Sequence, residues 1–127
     1  MKNEREFAEK WAKKIVERTC GALLLLTRMK KFPNDRVLHT AAKSSFQRCF
    51  EYIEDIEGPI CDVLEVESIG DVIDMVYGFD SDERFIVNEM IILMWLYEKD
   101  NGYDIKNAEI CANERALEYL DKIKCDL

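Results

Sequence analysis

The sequence predicts an all-α fold, a single compact bundle of about five helices in which residues 1–127 form one domain. Apolar residues recur at steps of three or four along most of the chain, which is the spacing of amphipathic helices. Glycine and proline are scarce, with 5 and 2 among 127 residues, whereas an all-β chain needs many turns. The hydrophobic share of 48% suffices for a folded core at this length.

The first two predicted helices are the longest. The first runs from Asn3 to about Lys31, and the breaker sequence at residues 32–34 ends it. The second is capped by Asn34 or Asp35 and runs to about Glu57. Its apolar positions are spaced so that one face is buried.

The remaining chain predicts a connector and three further helices. Gly58-Pro59 predicts the end of the second helix, and residues 60–67 are expected to be a connector. A short helix follows from a Ser68 cap through Tyr77, and another extends from Ser81 to about Lys99. The last predicted helix covers Asp104 to about Lys124.

The cysteines and the apolar stretches predict a soluble, cytoplasmic protein without a membrane partner. The five cysteines are odd in number and form no Cys-x-x-Cys pair, which favours free thiols in a reducing compartment. The charged start lacks the apolar core of a secretion signal. The longest apolar-rich stretch, Ile86–Tyr97, is much shorter than the about 20 residues that span a bilayer.

The charges are distributed very unevenly, although the net charge is −8. Residues 1–49 hold 12 lysines and arginines against 5 acids, whereas residues 50–83 hold 12 acids and no lysine or arginine. Like charges so close repel one another in the folded state. Either the basic first helix neutralises them internally, or they serve solubility, or they await a basic partner or a divalent cation.

The acidic segment therefore predicts a partner-binding surface for a basic protein. Nucleic acid is an unlikely partner there, because its phosphates would be repelled; the basic first helix alone could touch phosphates. The partner-binding residues that this hypothesis predicts are Glu51, Glu54, Asp55, Glu57, Asp62, Glu65, Glu67, Asp71 and Asp74.

No motif of nucleophilic or zinc catalysis is present, and the only histidine is His39. Two carboxylate pairs remain as candidates for chemistry. Glu51 and Glu54 are three residues apart, as are Asp71 and Asp74, so each pair shares a helix face. If the two helices pack antiparallel, the four oxygen ligands suit Mg²⁺.

The stretch Phe50-Glu51-Tyr52-Ile53-Glu54, followed by Ile69-Gly70-Asp71-Val72-Ile73, resembles the MazG-like all-α nucleoside triphosphate pyrophosphatases over about 25 residues. The resemblance implies a helical bundle that binds Mg²⁺ through two acidic pairs and hydrolyses nucleotides. In that family the second pair is Glu-x-x-Asp ending at the position of Asp71. Here its first member is Ser68, so Asp74 would have to substitute. A different placement uses Asp71, Asp74 and Glu89.

Three hypotheses of function follow. The leading one is a non-enzymatic protein-binding module without a cofactor, of the inhibitor, immunity or anti-defence type, that docks its acidic surface on a basic partner. The alternative is a Mg²⁺-dependent nucleotide pyrophosphohydrolase with Glu51, Glu54, Asp71 and Asp74 as metal ligands. The third is a structural helical subunit that self-associates as a homodimer through Leu23–Leu26 or Met90–Tyr97.

Overall fold

The computed structural model describes residues 2–99, except the side chains of residues 2, 30, 96, 97 and 99. Within this range every regular element is an α-helix, which confirms the predicted all-α class. The helices are α1 (Lys2–Lys31), α2 (Arg36–Leu64), α3 (Ile69–Tyr77) and α4 (Asp82–Lys99). The predicted fifth helix, 104–124, lies outside the described residues.

The helix α1 contacts each of the other three described helices, and its pairing with α2 is the most extensive. Its inward side is an unbroken series of small and branched residues, including Ala8, Ala12, Ile15 and Leu26, all fully buried. Small side chains let neighbouring helices approach closely, so α1 forms the axis of the described bundle. Thr19 is the buried polar exception, and its hydroxyl lies 4.0 Å from the sulfur of Cys49.

The predicted end of the second helix at Glu57 is wrong, because α2 continues through Gly58 and Pro59 to Leu64. Gly58 and Pro59 lie on the exposed side of α2, so the missing N–H of the proline falls next to solvent. The apolar spacing resumes at Ile60 and Leu64, which are both buried. Burial of that face outweighs the local helix-breaking signal, and the connector shortens to residues 65–68.

The helix boundaries around α2 and α3 have identifiable caps. The side chain of Asp35 accepts a hydrogen bond from the N–H of Leu38 at 3.0 Å, which makes it the N-cap of α2. The C-cap is Glu65, a non-glycine residue with φ of 56°. Ser68 is the predicted N-cap of α3, and Gly78 follows its last residue with φ of 97°.

Candidate functional site

Four acids lie together on the side of α2 that faces away from the core. Glu54 and Asp55 follow Glu51 by three and four residues, and Asp62 follows Asp55 by seven. All four are exposed, so they form one stripe along the helix. At 1.5 Å of rise per residue the stripe is about 16 Å long. We call these four residues the acidic stripe.

The negative charges of the acidic stripe influence one another. Desolvation raises the pKa of Glu54, and the neighbouring carboxylates of Glu98, Asp55 and Glu51 raise it further. The involvement of Glu98 shows that the end of α4 adds negative charge beside α2. Ionisation of Glu54 is therefore opposed by its neighbours, and a cation brought to the stripe would relieve that repulsion.

Among the described residues, no lysine or arginine forms an ion pair with the acidic stripe. Two cations of α1 are engaged with other groups. Arg5 pairs with Glu9 at 2.9 Å and donates a hydrogen bond to the carbonyl oxygen of Met75 at 2.7 Å. The guanidinium of Arg18 lies 4.2 Å from the ring centre of Tyr52. These α1 cations thus contact other partners instead of neutralising the stripe.

Three further acids predicted to bind a partner surround the junction between α2 and α3. Glu57, Glu65 and Glu67 are exposed. The carboxylate of Glu57 accepts a hydrogen bond from the backbone N–H of Ile69 at 3.3 Å, so it helps to cap α3. Glu65 and Glu67 extend the negative surface beyond the end of α2.

Asp71 has a structural role at the start of α3. Its carboxylate accepts hydrogen bonds from the backbone N–H groups of Glu67 and Ser68, both at 3.2 Å. The hydroxyl of Ser68 accepts in return from the N–H of Asp71 at 3.3 Å, which completes a capping box. Ser68, which stands where the MazG-like hydrolases have a glutamate, is therefore the N-cap of α3.

Asp74 is paired with Arg84 of α4. The Nε of Arg84 lies 2.8 Å from Oδ1 of Asp74, with side chains only 22% and 26% exposed. The guanidinium passes directly over Gly70, where an added Cβ would overlap it. Gly70 thus provides the space in which Arg84 crosses from α4 to Asp74, and the pair ties α3 to α4.

In the described part of the chain, no group of three or more histidine, cysteine, aspartate or glutamate residues is arranged to hold a metal ion. Two of the four ligands proposed for Mg²⁺ belong to the capping box and the ion pair just described. His39, the sole imidazole, is half-buried in the first turn of α2, where its backbone N–H donates to the carbonyl oxygen of Asp35.

The two apolar segments predicted to mediate self-association differ in exposure. Leu23 and Leu26 belong to the core. Met90 is also buried, whereas Ile92 and Trp95 on the other side of α4 are 47% and 56% exposed. No helix in the described range is long and apolar enough to cross a bilayer.

No protein-family model, curated protein or solved structure matches this chain.

Sequence reasoning missed three cations of α2 that share the exposed side with the acidic stripe. Arg36, Lys43 and Arg48 precede the stripe on the same helix and are all exposed. A helical projection of residues 36–64 would have found them, because it requires only the sequence and the helix assignment. If α2 ended at Glu57, Asp62 would lie outside the helix. Because α2 extends to Leu64, its first half carries these cations and its second half carries the acidic stripe.

Proposed function

We propose that this chain is a non-enzymatic protein-binding module whose acidic stripe docks on a basic surface of another protein. The observation that carries the proposal is the exposure of all four stripe carboxylates without an ion pair to a described lysine or arginine. The exposed Glu65 and Glu67 would extend the contact at one end.

The electrostatics of the stripe support this proposal. A group of like charges on one helix face costs folding free energy through mutual repulsion, and the raised pKa of Glu54 reflects that repulsion in addition to desolvation. A basic partner removes the penalty and is also attracted from a distance, which increases the rate of association. By analogy of size and charge, small acidic inhibitor, immunity and anti-defence proteins act in this manner.

The Mg²⁺-dependent hydrolase has less support from the described residues. Asp71 serves the N-cap of α3 and Asp74 pairs with Arg84. Using them as metal ligands would break a capping box that typically contributes about 1 kcal/mol and expose the guanidinium of Arg84 without its partner. The binding module requires no such rearrangement.

The experiment begins with affinity capture of basic proteins on the wild-type chain, each then purified for kinetic measurement. Association rates are compared for the wild type, for Glu51→Gln with Glu54→Gln, and for Glu4→Gln with Glu6→Gln. The control pair removes the same charge from exposed positions of α1. We expect the stripe variant to associate about tenfold more slowly and with a weaker salt dependence, and the control to match the wild type.

Equal association rates for the wild type and the stripe variant, with every captured protein, would refute the proposal. Circular dichroism of both variants excludes unfolding as the cause of a loss.

A further inference from the structure

The exposed side of α2 has the spacing of a helix–helix seam. Four exposed residues in its first half, Val37, Ala41, Ser44 and Arg48, follow one another at steps of four and three. The same alternation continues through Glu51, Asp55, Gly58 and Asp62 in its second half, all exposed. Alternating steps of three and four place residues on one side of a helix, as in a coiled coil. We call these eight positions the α2 seam.

The charges along this side are opposite in the two halves of α2. Arg36, Lys43 and Arg48 lie in the first half, and the acidic stripe lies in the second. This order is unfavourable for an isolated helix, because its N-terminus attracts negative charge and its C-terminus positive charge. The first turn of α2 contains no acid and the last turn contains no basic residue. A partner that places negative charge beside the first half of α2 and positive charge beside the second half would offset this unfavourable interaction.

The eight seam positions form four pairs about the peptide bond between Cys49 and Phe50. Arg48 lies as far before this bond as Glu51 lies after it. The pairs Ser44 with Asp55, Ala41 with Gly58, and Val37 with Asp62 are related in the same way. In an interface between two identical copies with a two-fold axis at this bond, residue i of one copy meets residue j of the other and the reverse, so Arg48 of each copy meets Glu51 of the other.

We infer that α2 packs antiparallel against α2 of a second copy of this chain, with the two-fold axis near Cys49. Arg48 then lies opposite Glu51 twice, and Lys43, next to Ser44 in the chain, lies near Asp55. This inference rests on the proposed docking role of the acidic stripe and adds a second basic surface that fits the stripe, the first half of the partner copy's α2. Antiparallel helices also oppose their dipoles favourably.

The side chains between the charges permit close contact. Ala41 would face Gly58, and a Cβ added at Gly58 meets no atom within 4 Å, so two helix backbones can approach there. Val37 is 82% exposed and would lie opposite Asp62 near each end of the seam. The Nε of Arg48 donates to the carbonyl oxygen of Ser44 at a long 3.4 Å, and Arg48 forms no ion pair with Glu51 in the described range.

The contact is expected to be weak and sensitive to salt, since exposed ion pairs contribute only about 0.2–1 kcal/mol each. Sedimentation of the full chain over a range of concentrations should show dimers at about 0.01 M salt and mainly monomers at about 1 M, where the Debye length falls from about 30 Å to about 3 Å.

A charge-swap experiment tests the pairing. One variant carries Lys43→Glu with Arg48→Glu, and the other carries Glu51→Lys with Asp55→Lys. Each alone should lose self-association by about tenfold or more, because each substitution acts twice in a two-fold interface. An equimolar mixture of the two should restore dimers at least to the wild-type level, because the reversed charges then face opposite signs.

Matched controls lie on α1, where Lys13→Glu with Lys31→Glu, and Glu4→Lys with Glu6→Lys, make the same charge changes at exposed positions. Both should dimerise as the wild type does.

A wild type that stays monomeric at every concentration in low salt refutes the inference. So does a dimer that tolerates both swaps, which would indicate another surface such as the one around Trp95. If the wild type is monomeric and stripe neutralisation still slows association with a basic protein, the inference falls and the proposed function stands. If neither measurement responds, both fall.

Discussion

Replacing Gly58 with alanine tests whether α2 really continues through the Gly58-Pro59 sequence. Gly58 lies inside α2 and is exposed, and beyond the adjacent residues and the nearby backbone of α2 the methyl group of an alanine there would meet no atom within 4 Å. Alanine is favoured over glycine in an exposed helix interior by about 0.8–1.0 kcal/mol. The Cβ of an alanine at position 58 also meets the ring of Pro59, which opposes part of that gain. We therefore expect Gly58→Ala to raise the free energy of unfolding by less than about 1 kcal/mol, which corresponds to at most roughly 3–5 °C in Tm for a chain of this size.

The opposite sign is expected if a helix ends at Glu57 and Gly58 terminates it in a left-handed conformation. Two glycines of the same chain calibrate the result. Gly21 lies inside α1 with equally open space, so Gly21→Ala should also stabilise. Gly78 has φ of 97° and ψ of 153°, a conformation essentially restricted to glycine, so Gly78→Ala should cost about 1–3 kcal/mol. Chemical unfolding of dilute protein in high salt measures all three. A loss of stability in Gly58→Ala comparable to that in Gly78→Ala would refute the continuous helix.

Three further outcomes are expected. Gly70→Ala should be less favourable in the wild type, where the added methyl displaces the guanidinium of Arg84, than in an Arg84→Ala background. The difference is a coupling of about 1 kcal/mol in a double-mutant cycle, and additive effects would contradict the crossing of Arg84 over α3. Burial raises the pKa of Glu89, so stability should fall as the pH rises from the ordinary carboxyl range through this raised pKa, and Glu89→Gln should remove that part of the slope in unfolding curves taken at several pH values. Burial is the largest cause that raises the pKa of Cys20 to about 12 and that of Cys49 to about 11, so at neutral pH both thiols stay protonated and should be alkylated far more slowly than in the unfolded chain, as peptide mass spectrometry can measure.

Much of the fold could be predicted from the sequence, because the burial pattern of single helices is local information. The boundaries of α1 and α3 followed from apolar spacing, from the breaker sequence at residues 32–34 and from the Ser68 cap. The error at Gly58-Pro59 has a physical cause. A helix-breaking signal reports the local preference of the backbone, whereas Ile60 and Leu64 gain their stability from contacts with other helices.

The candidate site was predictable only in part, because acidic residues with the same spacing in the sequence make different contacts in the folded chain. Glu51 and Asp55 follow from helical spacing as an exposed pair. Asp71 and Asp74 have the same spacing as Glu51 and Glu54 and the same carboxylate chemistry, yet one closes a capping box and the other pairs with Arg84 from the next helix. A carboxylate that caps a helix and one that awaits a partner differ in three-dimensional neighbours, and the sequence does not contain those neighbours directly.

The dimer and the basic partner would compete for one surface, and this competition links the two proposals quantitatively. Since only the monomer exposes the acidic stripe, the apparent affinity for a basic protein is reduced by the fraction of the chain held in dimers. Lys43→Glu with Arg48→Glu removes the dimer while leaving Glu51 and Asp55 in place. That variant should therefore bind a basic partner at least as tightly as the wild type. Its added negative charge acts at every concentration, so loss of the dimer is reported by the part of the gain that grows with protein concentration at low salt. Weaker binding by this variant would show that Lys43 or Arg48 contacts the partner directly and that the two surfaces act together.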